Sequence, residues 1–131
     1  MSTQTPEEIV RLFMSAMEKL DYDTAMTYVT DDVVYCNMPL GVSAGTVVGP
    51  SGIRSVLEPF FGPTITNEWV IKNVAVAGNV VFMERLDRHQ LSKGWAELPV
   101  TGVFEVTNNK ISAWRDYFDW ATISSAMVSL S

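Results

Sequence analysis

The sequence predicts an α+β fold: a strongly curved, mixed or antiparallel β-sheet shaped into a cone, with three to four α-helices packed on one side. Three observations predict it. Helical periodicity is confined to the first half of the chain and a short closing segment. Four strand-like runs follow one another from about residue 67 onward. The turns between those runs, Gly78-Asn79, Lys93-Gly94 and Asn108-Asn109, are short enough for antiparallel hairpins. Helices segregated from hairpin-linked strands are the pattern of an α+β sheet. At 131 residues, with no repeat and no linker-like tract, the chain reads as a single domain, 1–131.

Each element has its own local cause. Thr5 and Glu8 form a capping box with Pro6 at the first helical position, and Ile9, Phe13, Ala16, Met17 and Leu20 recur at helical spacing. A shorter helix is expected over 21–29, with Asp21 and Asp23 as candidate caps. Residues 32–38 are rich in strand formers, and Pro39 closes them. Gly49-Pro50 opens a third helix over 51–61, in which Ile53, Val56, Leu57 and Phe60 share a face and Pro59 weakens the last turn. Strands follow over 69–77, 80–90, 98–107 and 111–118, and Asp119 caps a closing helix over 120–128. Val80, Val81, Phe82 and Met83 place apolar side chains on both faces of one strand, whereas a sheet with one wet face alternates. The outer face is therefore expected to be covered as well, by a second copy of the chain in a homodimer.

Composition narrows the chemistry. Charged residues make up 18% of the chain, below the roughly 25% of average proteins, so few charges are available for a site. One histidine, His89, and one cysteine, Cys36, exclude a Cys/His metal cluster and an intrachain disulfide. Carboxylates are left to do the proton work, with no cofactor and no metal. A net charge of −6 argues against nucleic acid and anionic membrane partners, which need a basic face. The start of the chain, Met1-Ser2-Thr3-Gln4-Thr5, has neither the basic nor the apolar region of a secretory signal, and no apolar run approaches the ~20 residues of a membrane span. A soluble cytoplasmic protein is expected, in agreement with a lone thiol.

Strand periodicity then points to particular residues. A period of two groups Val81, Met83, Arg85, Asp87 and His89 in one strand, Ser112, Trp114, Asp116 and Phe118 in another, and Val33, Tyr35 and Asn37 in the first. Each apolar face is interrupted by polar groups, which are costly there unless they pair or serve a site. Two interpretations fit the spacing. If the three faces are concave, two carboxylates, a guanidinium, a phenol and an amide converge inside an apolar pocket. Otherwise Arg85 and Asp87 form a surface ladder pair, Asp116 sits near a turn, and Tyr35 and Asn37 bond to a loop.

A resemblance favours the first. Val33-Val34-Tyr35-Cys36-Asn37-Met38-Pro39, Arg85-Leu86-Asp87, Gly102-Val103-Phe104-Glu105-Val106 and Trp114-Arg115-Asp116-Tyr117-Phe118-Asp119 resemble the limonene-1,2-epoxide hydrolase family, over nearly the whole chain. That family belongs to the cone-shaped superfamily named for nuclear transport factor 2. The resemblance implies that Asp87 is the general acid toward an epoxide oxygen and Asp116 the general base toward water. Arg85 would orient both carboxylates, and Tyr35 and Asn37 would hold the attacking water. The implied reaction adds water directly to an apolar, cyclic or terpene-type epoxide and gives a vicinal trans-diol without a covalent intermediate. Met83, Trp114 and Phe118 alternate in step with these residues and are expected to line the substrate pocket. The alternatives are a ketosteroid-isomerase-like or cyclase-like enzyme of the same fold, or a non-catalytic binding module for apolar ligands.

Elementary electrostatics agrees with a pair of aspartates in two roles. Holding one aspartate half-protonated at pH 7 needs a bias of about 4 kcal/mol. Arg85 alone pushes the wrong way, but two ionised aspartates and one arginine leave a net negative charge in a dry pocket, which a single proton removes. The pair should titrate as a unit.

Three features are set aside. Gly41-Val42-Ser43-Ala44-Gly45 matches a nucleophile-elbow pattern but lacks the strand-turn-helix context, so Ser43 is expected in a polar loop near the pocket entrance. His89 is expected near a strand end, at the surface or the pocket rim. Cys36 alternates away from Tyr35 and Asn37 and is expected to be a small buried hydrophobe. The pocket outline is expected to depend on loops 40–49 and 62–67.

Overall fold

Thr5 starts the first helix as its spacing predicts, its Oγ1 accepting from the Glu8 backbone N–H at 3.2 Å. In the computed structural model, which describes residues 4–131, this helix α1 spans Pro6–Glu18. Residues 1–3, part of the segment read for a secretory signal, lie outside the described residues. The face formed by Ile9, Val10, Phe13, Met14 and Met17 is fully buried. Asp21 caps α2 (Tyr22–Met26), its carboxylate accepting from the Thr24 N–H at 3.2 Å. This helix is shorter than the predicted 21–29 because Val29 already belongs to strand β1 (Val29–Asn37), where it pairs with Ile111. A turn of 3-10 helix over Met38–Leu40 leads to α3 (Val42–Gly45) and β2 (Thr46–Val48). Helix α4 covers Gly49–Phe61; Pro59 sits in its last turn without ending it early.

The second half supplies β3 (Thr66–Ala77), β4 (Val80–Leu91), β5 (Gly94–Thr107) and β6 (Lys110–Tyr117), then α5 (Trp120–Ser129), which Asp119 caps at Thr122. Strands β3 and β5 start three and four residues before their predicted starts because their pairing with β4 continues through Thr66–Gln90 and Gly94–Leu91, while β4 and β6 lie within one residue of prediction. The sheet order is β2-β1-β6-β5-β4-β3. It is mixed: β1 lies parallel to β6, and the other neighbours described are antiparallel. This pairing sets Tyr35 beside Trp114 and Asn37 beside Asp116. Register shifts in β1, in β3 between Ile71 and Asn73, and in β5 between Glu105 and Val106 bend the sheet.

The concave face takes α1 and α4 over one core containing Phe13, Ile53, Met83, Phe104 and Trp114. A second, smaller core joins α5 to Leu91, Ala96, Leu98 and Val100 through Ile123. The space between the two cores is a cavity. Among the described residues no helix is long and apolar enough to cross a membrane.

Gly45 fixes the end of β1 next to that cavity. A Cβ there would stand 2.3 Å from the Asn37 carbonyl oxygen. Gly45→Ala is expected to cost about 1–3 kcal/mol of overpacking strain and to lower the thermal midpoint measurably; an unchanged melting curve would show that the Asn37 backbone is free to move.

Candidate active site

Arg85, on the inward face of β4, is 1% exposed and lies between two carboxylates. Its Nε donates to Asp87 Oδ1 at 2.9 Å and its Nη2 to Asp87 Oδ2 at 3.1 Å. On the other side Nη2 donates to Asp116 Oδ2 at 3.1 Å and Nη1 to Asp116 Oδ1 at 3.3 Å. The guanidinium fork thus grips both carboxylates bidentately. Asp87 follows from the strand period; Asp116 arrives from β6, two strands away, through the register of Gly102 with both Met83 and Asp116. The Trp69 ring covers the guanidinium at 5.3 Å, a cation–π contact.

Asp116 has a further partner: Trp114 Nε1 donates to its Oδ1 at 2.7 Å. Tyr35 stacks on Trp114 with ring centroids 4.1 Å apart, and its hydroxyl donates to Asn37 Oδ1 at 2.8 Å. Burial raises the Asp116 pKa while Arg85 opposes it. Burial and the Asp116 charge push the Tyr35 phenol far up, so it stays protonated. Burial opposes the charge on Arg85, but Asp116 and Asp87 outweigh it and keep the guanidinium ionised.

These groups form one end of a cavity of about 210 Å³. Tyr35, Asn37, Asp87, His89 and Asp116 supply its polar atoms; Val56, Leu57, Phe60 and Phe61 of α4, Trp69, Leu98, Val100, Trp114, Phe118, and Trp120 and Ile123 at the α5 end supply the apolar wall. Among the described residues no cluster of His, Cys, Asp or Glu could hold a metal ion.

The sequence matches the family described as the limonene-1,2-epoxide hydrolase catalytic domain over residues 4–129. The chain belongs to the limonene-1,2-epoxide hydrolase family. It is 32% identical over 110 residues to the epoxide hydrolase EphG of Mycobacterium tuberculosis, covering 84% of this chain and 70% of that protein. The solved structure of an M. tuberculosis LEH-like epoxide hydrolase superposes with a TM-score of 0.77 at 28% identity, over 95% of this chain and 90% of that one. The fold is shared more widely. An NTF2-like protein of Burkholderia thailandensis E264 gives a TM-score of 0.81 at 21% identity, over 95% of this chain and 98% of its own. A protein of Catenulispora acidiphila DSM 44928 with a ketosteroid isomerase-like fold gives 0.78 at 17% identity, over 93% and 92%.

For this family member, the five polar residues singled out in the sequence sit together: Arg85, Asp87 and Asp116 in direct contact, and Tyr35 and Asn37 bonded to each other beside Asp116. Trp114 and Phe118 line the cavity. Met83 does not: it is fully buried in the main core, because α1 covers that part of β4. His89 is not at the surface either. It is 2% exposed, enclosed by Phe60 and Phe61, since β4 continues to Leu91 and the end of α4 folds over it. Ser43 lies exposed in α3 and lines no part of the cavity. Of the two loops expected to outline the pocket, only Leu40 contributes; helices α4 and α5 shape the rest. Cys36 is buried as expected.

One residue that matters was given no role from sequence. Gly102 has no side chain, and a Cβ there would stand 2.6 Å from Arg85 Nη1 and 2.9 Å from Asp116 Oδ1. A glycine inside a strand signals such a close approach, and that signal was available. Gly102→Ala is expected to retain the fold by circular dichroism yet lose about a hundredfold or more in turnover, because displacing the ion cluster by ~1 Å is that costly. Full activity would mean that the cluster relaxes around a methyl group.

Proposed function

We propose that the protein is an epoxide hydrolase that adds water in one step to a compact, largely apolar epoxide, cyclic or terpene-type, giving a vicinal trans-diol. The observation that carries this is the bidentate grip of Arg85 on two carboxylates at the polar end of an apolar cavity. Family membership and the similarity to an epoxide hydrolase support the same reaction.

Lone-pair accounting divides the roles. Asp116 Oδ1 accepts from Trp114 and Arg85, and Oδ2 accepts from Arg85, so one acceptor position remains on Oδ2. Asp116 also neighbours Asn37 in register. Because the Tyr35 hydroxyl donates to Asn37 Oδ1, the Asn37 amide N–H and the phenol lone pairs are left for a water molecule. Such a water accepts from Asn37 Nδ2, donates to Tyr35 and to Asp116, and keeps a lone pair for attack. Burial raises the Asp116 pKa from the ordinary carboxylate value toward the range in which a general base works. Asp87 is bound only by Arg85, so it can present a proton to the epoxide oxygen.

In the reaction the water oxygen bonds to the epoxide carbon from the side opposite the breaking C–O bond. One water proton passes to Asp116, and the Asp87 proton passes to the departing oxygen. Inversion at carbon gives the trans product. Asp116 then holds the proton that Asp87 has lost, and its return resets the site. The reacting groups are fixed before the substrate enters, so little reorganisation accompanies ring opening. A volume of about 210 Å³ is below the ~300 Å³ at which typical ligand clefts begin, which favours a small substrate.

The outer face of the sheet exposes Val34, Val70, Phe82 and Tyr117, beside the Arg115–Glu105 ion pair. We infer that a second copy of the chain covers it, since an apolar face carrying both charge signs can complement itself about a two-fold axis. A free Cys36 thiol fits a reducing, cytoplasmic location.

A single turnover in heavy-oxygen water is expected to label the diol and leave the protein unlabelled; label in Asp87 or Asp116 would require an ester intermediate instead. Asp87→Asn and Asp116→Asn should each lower epoxide turnover about a thousandfold, and the wild-type kcat/KM should be bell-shaped, falling in acid as the base is protonated and in alkali as the shared proton leaves. Sedimentation at micromolar concentration is expected to give twice the chain mass, and a monomer would refute the pairing of outer faces.

A further inference from the structure

His89 is the only histidine of the chain and lines the cavity, and the mechanism above does not use it. Its surroundings determine which ring nitrogen carries the proton. The Phe61 carbonyl oxygen can only accept, so the Thr64 hydroxyl donates to it at 2.6 Å. Thr64 Oγ1 therefore accepts from Asn67 Nδ2, at 2.9 Å. That orients the Asn67 amide with its Oδ1 toward His89 Nδ1, at 2.6 Å. An amide oxygen cannot donate, so Nδ1 must carry a proton. Burial, reinforced by Arg85, pushes the imidazole pKa down to about 4, so the ring is neutral at pH 7 and Nε2 holds a lone pair. Nε2 has no hydrogen-bond partner among the described residues, and the ring is flanked by Phe60 and Phe61. The ring lines the cavity, so a ligand that displaces water from Nε2 without replacing its hydrogen bond loses about 1–3 kcal/mol to one that does.

We propose that His89 is a specificity-determining residue whose Nε2 accepts a hydrogen bond from a hydroxyl group on the substrate, so that the preferred epoxides are compact, otherwise apolar molecules bearing one alcohol. His89 lies two residues from Asp87 on the same face of β4, which places it about 7 Å along the strand. The alcohol therefore stands a few bonds from the epoxide oxygen. This proposal rests on the epoxide hydrolase reading and adds the substrate class to it. Phe60, Phe61 and Trp69 exclude bulk water from the wall, which is where a single unmatched acceptor discriminates most strongly.

Two matched substrates test it: 4-(hydroxymethyl)cyclohexene oxide and 4-ethylcyclohexene oxide, equal in size and differing by a hydroxyl. The ratio of their kcat/KM values is expected to fall about tenfold from wild type to His89→Leu, through loss on the alcohol alone. An unchanged ratio overturns the proposal. Because the chain has one histidine, the wild-type protein labelled with nitrogen-15 at histidine gives a second readout that needs no variant. At pH 7 the spectrum should show a neutral ring protonated at Nδ1, and cyclohexylmethanol should shift Nε2 where ethylcyclohexane does not. A protonated Nε2, or equal shifts with both probes, overturns it too. If wild type consumes neither epoxide, the hydrolase reading fails, while the nitrogen shifts still decide the role of His89.

Discussion

Everything else in the site depends on the burial of the Arg85 guanidinium. An isolated cation with 1% exposure would cost several kcal/mol in lost hydration, and only close, well-oriented carboxylates offset that. Asp87 and Asp116 do so with four hydrogen bonds from three nitrogens. Asp87 comes with the same strand as Arg85, but Asp116 must be carried across β5, and this is possible only because Gly102 leaves the intervening strand without a side chain. The ion cluster therefore constrains the register of three strands at once. A slip of one residue in β6 would turn Asp116 to the outer face and leave Arg85 with an unbalanced charge.

The parallel pairing of β1 with β6 extends the same constraint. With the register fixed at Asp116, Asn37 and Tyr35 fall beside Asp116 and Trp114, and the aromatic stack of Tyr35 on Trp114 locks the phenol. Trp114 joins the two functions, packing against Phe13 of α1 on one side and donating to Asp116 on the other. Core packing and the ion cluster thus share a residue. A loss of packing at Phe13 would be felt at Asp116, although Phe13 itself is not among the residues that line the cavity.

Most of this was legible in the chain because strand periodicity is a strong signal where polar residues interrupt an apolar face. Arg85, Asp87 and Asp116 stood out for that reason, and the family resemblance supplied their partners. What was not legible depended on distance in sequence. The predicted helix over 21–29 lost its last residues to a pairing with Ile111, more than eighty positions away. Met83 has the same alternation as Arg85 but lies under α1, and periodicity reports the face of a strand without reporting which helix covers it. His89 was expected at a rim because a histidine near a strand end usually finds water. Phe60 and Phe61, brought over it by α4, remove that water.

The two kinds of ionisable group in the cavity show opposite answers to one problem. Burial penalises any net charge, and the carboxylates meet the penalty by sharing the Arg85 cation. Among the described residues His89 has no anion within hydrogen-bond reach; its Nδ1 partner is a neutral amide, and burial and the Arg85 charge oppose a second proton. It is therefore held neutral in a single tautomer by a chain of donors that ends on a backbone carbonyl. A cation there would compete with Arg85 for Asp87 and disturb that ion pair. Keeping the imidazole neutral leaves Arg85 as the cation that the two carboxylates share, and leaves Nε2 of the histidine an acceptor at pH 7.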